Sequence, residues 1–197
     1  MTRLAIIIDY LVEHPELVDE LAQLSWEEWQ DIYEQRDQTL EHCRKNYRER
    51  MNTDRLPLTM VAIQHPNLAF PSERPASLVT LSGVGDTRRK VRRPVPNALL
   101  GMVSLKFHDL DTRPDLDPWL GGLFVLPEYR NRGVGTLLMD RASVEARRLS
   151  ISRLYLWTHT AERLYHRLGW QLVERADYFG KSAVVMEMNL NDHGSDG

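Results

Sequence analysis

Apolar residues cluster along the chain in short runs of the length and alternation typical of β-strands. The first run is continuous and rich in isoleucine, which indicates a buried strand. A later run contains the adjacent glycines Gly121 and Gly122, which suit a β-bulge or a close approach of the backbone to another group. Close packing against a helix is the alternative for this pair. The predicted strands lie at residues 4–8, 58–63, 99–107, 119–126, 153–158, 170–176 and 182–190.

Between these runs, apolar residues recur every three or four positions, which is the helical period. Pro15 opens the first such segment, since proline suits the first turn of a helix. A second segment begins at the capping pattern Ser25-x-x-Glu28 and carries an apolar stripe as far as Tyr47. Two further helices are predicted at residues 136–149 and 161–168.

These elements predict a single domain over residues 1–190, followed by a tail at 191–197. The domain contains an insertion at residues 64–96 that is rich in proline and arginine. We predict that it is only partly ordered, with a short strand at 78–81. Its basic run, residues 88–93, is expected to be solvated, and docking of an acidic group is the alternative.

Composition narrows the class of protein. The chain has 197 residues, 42% hydrophobic and 27% charged, which are the values of one globular domain. A net charge of −3 gives no reason to expect a nucleic-acid partner. Cys43 is the single cysteine, so we expect a buried structural thiol and a cytoplasmic location. No apolar run approaches the ~20 residues that cross a bilayer, so no membrane partner is expected.

One segment carries recognisable chemistry, because a predicted strand leads through a glycine loop into a helix. The loop, residues 130–135, reads Arg-Asn-Arg-Gly-Val-Gly. Glycines let the backbone approach a ligand, the helix start offers unpaired amides, and arginines suit phosphate. The loop lacks the lysine of a Walker A motif and the third glycine of the dinucleotide fingerprint. It therefore predicts a pyrophosphate site, with a tight turn bearing solvated arginines as the alternative.

Two motifs of this region resemble those of the GNAT acetyltransferase superfamily. The acetyl-CoA motif of that family is similar to Val125-x-Pro127-x-x-Arg130-x-Arg132-Gly133-x-Gly135. A second family motif is similar to Tyr165-x-x-x-Gly169-Trp170. The close match covers residues 119–170. It implies an α+β (mixed α/β) GNAT fold, with a mixed, mostly antiparallel sheet that is splayed between strands four and five and flanked by helices.

The resemblance also implies roles for individual residues. The pantetheine arm of acetyl-CoA would pair with the backbone of strand four, and the pyrophosphate would lie on the amides that enter the next helix. Tyr165 would protonate the leaving thiolate, although periodicity alone makes it a core residue. The implied cofactor-binding residues are Leu123, Phe124, Val125, Arg130, Asn131, Arg132, Gly133, Val134, Gly135 and Thr136.

The general base is less evident. Some family members place a glutamate on strand four or five, and neither predicted strand contains a carboxylate here. Thr158 stands roughly where N-terminal acetyltransferases often carry an asparagine, which argues against an N-terminal peptide substrate. Candidate bases are Asp117, His108 and His159, each with a structural role as the alternative.

The acceptor pocket of this family is often shaped by the first two helices and the loop between the last strands. Aromatic rings there can hold an ammonium group, and acids can attract it. Core packing and a solvated helix face are the alternatives. The residues concerned are Trp26, Trp29, Tyr33, Trp119, Tyr178 and Phe179, with Glu27, Glu28 and Asp31.

The resemblance thus predicts an enzyme that transfers an acetyl group from acetyl-CoA to a primary amine by direct attack, without a metal. A small-molecule amine is favoured as acceptor. The missing base keeps a non-catalytic acyl-CoA-binding regulatory module open, and a protein lysine or N-terminal acetyltransferase is a third reading. The sequence leaves a homodimer open.

Overall fold

A seven-stranded mixed sheet organises the molecule. The computed structural model describes residues 6–64, 98–178 and 180–191. The strands are β1 Ile6–Tyr10, β2 Leu58–Gln64, β3 Leu99–Lys106, β4 Trp119–Val125, β5 Arg153–Thr158, β6 Gln171–Tyr178 and β7 Lys181–Asn189. Their order across the sheet is β1-β2-β3-β4-β5-β7-β6. Neighbouring strands are antiparallel except β4 and β5, so the predicted mixed α+β class is confirmed.

Five α-helices within the described residues surround this sheet. Three of them follow β1, a fourth connects β4 to β5, and the fifth connects β5 to β6. A short 3-10 turn at Pro15–Leu17 leads into the first, as the proline predicted. The helices are α1 Val18–Glu28, α2 Gln30–Gln35, α3 Leu40–Glu49, α4 Val134–Arg148 and α5 Glu162–Arg167.

The helices cover the two faces of the sheet with separate apolar cores. Leu21 of α1 and Tyr47 of α3 pack with Met102 of β3 in one core. The neighbouring strand residue, Val103, belongs to the other core, together with Leu138 of α4. The alternation of side chains along β3 therefore separates the α1–α3 face from the α4–α5 face.

β4 and β5 meet at their amino ends. Trp119 pairs with Tyr155, and the Tyr155 amide donates to the Pro118 carbonyl at 3.0 Å. Further along β4 the register with β3 shifts, and Gly122 adopts a φ of 62°. Such a bulge bends the strand that carries it. The predicted splay between strands four and five is confirmed, and so is the bulge at the glycine pair.

The predicted second helix is wrong in its start and in its continuity. Ser25 lies inside α1, fully buried, with its hydroxyl 2.5 Å from that of Tyr47. Asp37 adopts a φ of 52° and separates α2 from α3. The capping box belongs instead to Thr39 and His42 at the start of α3. A buried tertiary hydrogen bond thus outweighs the local capping preference of Ser25.

Several predictions made from the sequence fall outside the described residues. These are the insertion at 64–96 except for Gln64, its strand at 78–81, its basic run, Phe179, and the tail beyond Asn191. In the parts of the chain that are described, none of the helices is both long and apolar enough to cross a membrane.

Candidate active site

The glycine loop brings main-chain amides to the start of α4. Gly133 is the residue before the helix and adopts a φ of 81°, so α4 begins at Val134 rather than at Thr136 as predicted. Asn131 also has a positive φ, 60°, and the chain turns sharply before the helix. No side chain caps α4 within the described structure, and its first turn holds no acid. The amides and the positive end of the helix dipole therefore meet no competing side-chain acceptor, which suits a phosphate.

The two loop arginines contact protein groups and remain accessible. Arg130 Nε donates to the Val125 carbonyl at 2.9 Å, which ties the loop to the end of β4. Its guanidinium lies 3.8 Å from Glu28, and its side chain is 48% exposed. Arg132 lies over the ring of Tyr129, 5.8 Å from its centroid. The loop arginines can therefore reach an anion at the α4 start by rotating their exposed ends.

One edge of β4 is open after the bulge. On its other edge, Phe124 and Val125 pair with β3 opposite Met102 and Gly101. Toward β5, the strand pairing within the described residues is confined to Trp119. The backbone from residues 120 to 125 therefore presents donors and acceptors to which an extended group can add as a strand would.

Tyr165 projects from α5 into the space between the splayed strands. Its side chain is 9% exposed and packs edge-on against Trp170, with the ring centroids 6.1 Å apart. Burial raises the pKa of the Tyr165 phenol to about 12. The hydroxyl has no hydrogen-bond partner among the described residues. A protonated phenol held without a partner at the edge of a cavity can donate to a ligand.

A cavity of 660 Å³ lies between β4, β5, α2 and α5. Residues 120–123 of β4 and residues 156–158 of β5 form its central walls. Tyr165 lines it from the α4–α5 face, and Tyr33 lines it from the α1–α3 face. The splay thus connects both faces of the sheet within one cavity.

The structure brings part of the predicted acceptor set to this cavity. Trp29, Tyr33 and the three predicted acids, Glu27, Glu28 and Asp31, line it. The remaining aromatics with described side chains do not. Trp26 stacks on Tyr33 at 6.0 Å, Trp119 is fully buried, and Tyr178 belongs to a separate apolar cluster. For these three, core or surface packing is the better interpretation.

Among the candidate bases, His159 lines the cavity, whereas His108 and Asp117 pair with each other outside it at 2.9 Å. His159 Nδ1 lies 3.0 Å from the Ser182 carbonyl, and because a carbonyl only accepts, Nδ1 carries the proton. Its Nε2 is buried and has no hydrogen-bond partner in the described structure.

Cys43 is buried, and burial raises the pKa of its thiol, as expected for a structural cysteine.

A buried ion pair in the cavity lining was not predicted from the sequence. Lys106 Nζ lies 2.5 Å from Asp109 Oδ1, with 18% and 10% of the two side chains exposed. His108 adopts a φ of 54° between them and turns the chain back. Burial lowers the pKa of Lys106, although Asp109 opposes this. The sequence did contain a signal for this ion pair. Lys106 follows buried Ser104 by two positions on β3 and so lies on the same buried face, where a lysine is rare unless it is paired.

No metal site is evident in the described portions of the chain. They contain no group of three or more His, Cys, Asp or Glu side chains arranged to hold an ion.

Comparison with protein families gives one match. Residues 91–172 match the model described as an acetyltransferase (GNAT) domain, and this span includes both motifs singled out in the sequence. Among curated proteins, none matches this chain.

Solved structures share the fold over nearly the whole chain. A protein from Salmonella typhimurium, yncA, solved with its cofactor acetyl-CoA, is 15% identical, with a TM-score of 0.61 and 98% of each chain covered. NAA60 from Arabidopsis thaliana in complex with acetyl-CoA is 15% identical, with a TM-score of 0.58, covering 95% of this chain and 99% of that one. Aminoglycoside 6'-acetyltransferase type Ii is 16% identical, with a TM-score of 0.57, covering 93% and 97%. At these identities the likeness concerns the fold.

Proposed function

Because the chain has the fold of the GNAT acetyltransferases and matches that family's model over residues 91–172, we propose that it transfers an acetyl group from acetyl-CoA to a primary amine of a small molecule. The observation that carries this proposal is a continuous path. It runs from the uncapped start of α4, along the open edge of β4, to the hydroxyl of Tyr165.

Acetyl-CoA fits this path by its chemistry. Its diphosphate would lie on the amides between Asn131 and Thr136, where the helix dipole favours negative charge. Its pantetheine amides would pair with the open backbone edge at Leu123 to Val125. The thioester would then lie near the bulge at Gly122, within the cavity that Tyr165 lines.

The reaction places each proton on a defined atom. The neutral amine attacks the thioester carbonyl carbon, the new C–N bond forms, and the carbonyl oxygen becomes an oxyanion that a β4 main-chain N–H can stabilise. The C–S bond then breaks, and the departing thiolate takes the phenolic proton of Tyr165. The raised pKa of Tyr165 keeps this proton in place at neutral pH until the thiolate develops. The nitrogen, positively charged after the attack, gives up a proton through solvent to the Tyr165 phenolate, which restores the phenol and balances the transfer.

An ion pair between two residues of the cavity lining supports a small acceptor. Lys181 at the start of β7 lies 3.1 Å from Asp31 of α2, and both residues line the cavity. The pair joins α2 to β7, and both elements contribute to the cavity lining. An extended peptide would need this contact to separate, whereas a compact amine would not.

The proposal is tested by thiol release from acetyl-CoA over a panel of primary amines, with CoA affinity measured by calorimetry on the same protein. We expect saturable turnover with at least one small amine. Tight CoA binding without turnover on any small amine or peptide would instead support a non-catalytic module. Acetylation of peptides alone would support a protein acetyltransferase. Failure to bind CoA would overturn all three assignments.

A further inference from the structure

The cavity is electrically polarised. Its acids Glu27, Glu28 and Asp31 lie at the junction of α1 and α2. Another part of the lining, which we call the cationic end, carries Arg36, Arg50 and Lys106, located where α2, α3 and β3 end. Two of the acids already have cationic partners, since Glu28 pairs with Arg130 and Asp31 pairs with Lys181.

The cationic end is enclosed rather than solvated. Only 18% of the Lys106 side chain and 10% of the Asp109 side chain are exposed. Arg36 reaches over the same turn, where its guanidinium donates to the Asp109 carbonyl oxygen at 2.7 Å. Arg50 lies over the ring of Tyr47, 5.4 Å from its centroid. Charges held in such a setting interact more strongly than charges in water.

Positive charge exceeds negative charge at this end. Among the described residues that line it, three cations face one carboxylate, that of Asp109. Asp109 is engaged by Lys106, Arg36 also reaches Asp111 at 3.6 Å, and Arg50 has no carboxylate within ion-pair distance in the described structure. Arg50 and Arg36 both act to lower the pKa of Lys106, after the larger effect of burial. The arrangement is therefore short of one anionic group.

We propose that the acceptor amine carries an anionic oxygen group, a carboxylate or a phosphate, which binds to Arg50 and Lys106 while its amine faces the β4 bulge. This inference rests on the proposed acetyl transfer and specifies its substrate class. The fork of N–H donors on Arg50 matches two oxygens of such a group, and the Lys106 ammonium adds a point charge. Glu27, Glu28 and Asp31 line the same cavity, where negative charge suits an ammonium group. A polycationic amine would place positive charge against Arg50 and Lys106 and is disfavoured.

The direct test uses wild-type protein and matched acceptors that differ in one group. Butylamine, 4-aminobutanoate and 3-aminopropyl phosphate form one set, and tyramine with tyrosine forms another. We expect kcat/KM to be about tenfold or more higher for the anionic members, since a charge-assisted bidentate contact discriminates at that level. The two anionic arms separate carboxylate from phosphate. Equal or higher kcat/KM for the plain amines would overturn the inference while leaving acetyl transfer intact.

A variant pair localises the effect. Arg50→Gln should reduce the ratio of kcat/KM between anionic and plain acceptors by about tenfold, whereas Arg50→Lys should retain part of it. Arg48→Gln is the matched control, because Arg48 lies in the last turn of α3, two residues before Arg50, is 58% exposed and pairs with Glu41 away from the cavity. An unchanged ratio in Arg50→Gln would assign selectivity to another site.

A binding measurement keeps the test independent of turnover and of folding. Inorganic phosphate is titrated into CoA-saturated wild-type protein and followed by amide chemical shifts. We expect saturable shifts at Lys106 and Arg50. If phosphate binds there but no amine is acetylated, the anion subsite stands and the proposed reaction fails. If phosphate shifts neither residue, the subsite is overturned whatever the activity.

Discussion

Lys106 Nζ and Asp109 Oδ1 are 2.5 Å apart, and the two side chains occupy the space beside the backbone of β4. A β-carbon built on Gly121 would lie 2.6 Å from Lys106 Cε and 2.7 Å from Asp109 Oδ2. The glycine therefore permits an ion pair to lie directly against the strand that borders the proposed thioester position. This contact connects the anion subsite with the reaction centre.

Replacing Gly121 by alanine should displace this ion pair. Since the obstructing atoms are side-chain ends, the backbone can stay and the cost in unfolding free energy should be about 1–3 kcal/mol. We expect the KM for the acceptor to rise and the affinity for CoA to stay unchanged. Thermal unfolding and steady-state kinetics check this. In a Lys106→Ala background the alanine should cost less stability, and an equal cost there would contradict the steric explanation.

Gly135→Glu should abolish CoA binding without unfolding the protein. An acid in the first turn of α4 would occupy the open amides and repel the diphosphate, yet acids are well tolerated at that end of a helix. Gly135→Ala is the matched control, because its β-carbon would make an ordinary contact of 3.7 Å with Val125. We expect calorimetry to show a loss of at least about 100-fold for glutamate and little change for alanine. Unchanged CoA affinity in Gly135→Glu would refute the placement of the diphosphate.

Tyr165→Phe should lower kcat by about 100-fold, the lower range for loss of a general acid, and leave CoA affinity nearly unchanged. The ring contact with Trp170 is retained, and the hydroxyl has no partner among the described residues, so folding should be preserved. Steady-state kinetics with calorimetry of CoA separates the two effects. A wild-type kcat would show that this tyrosine only packs.

Tyr165 should also make stability depend on alkaline pH. Burial raises its pKa from 10.0 to about 12, so above pH 10 the unfolded chain releases the phenolic proton before the folded protein does. The stability contributed by the neutral phenol is complete below pH 10 and is lost as pH rises toward 12. The slope is at most about 1.4 kcal/mol per pH unit for this one group. Denaturant unfolding between pH 9 and 11.5 should show a shallower decline for Tyr165→Phe than for wild type, and parallel declines would contradict the assignment.

Local patterns predicted most of the elements correctly, because they depend on neighbouring residues. β5 has the predicted bounds, Arg153–Thr158, and the glycine pair of β4 forms the expected bulge. Local patterns failed where a distant partner decides the outcome. Ser25 has the sequence of a helix cap but bonds to Tyr47, a residue from another helix. Whether Ser25 caps a helix or bonds to Tyr47 depends on burial, which sequence spacing alone does not encode.

The candidate site also has one part that local sequence predicts and another part that depends on residues distant in the chain. The two motifs around Gly133 and Tyr165 lie within one stretch of chain, so the sequence by itself was enough for the family resemblance that predicted the fold class and the expected cofactor path. The cationic end of the cavity was decided only by the tertiary structure, because Arg50 and Lys106 are separated by more than fifty residues in the chain. The fold brings the elements that carry them into one cavity lining. Phosphate-binding amides follow from local backbone geometry, whereas an excess of charge exists only once side chains from distant elements share one buried space.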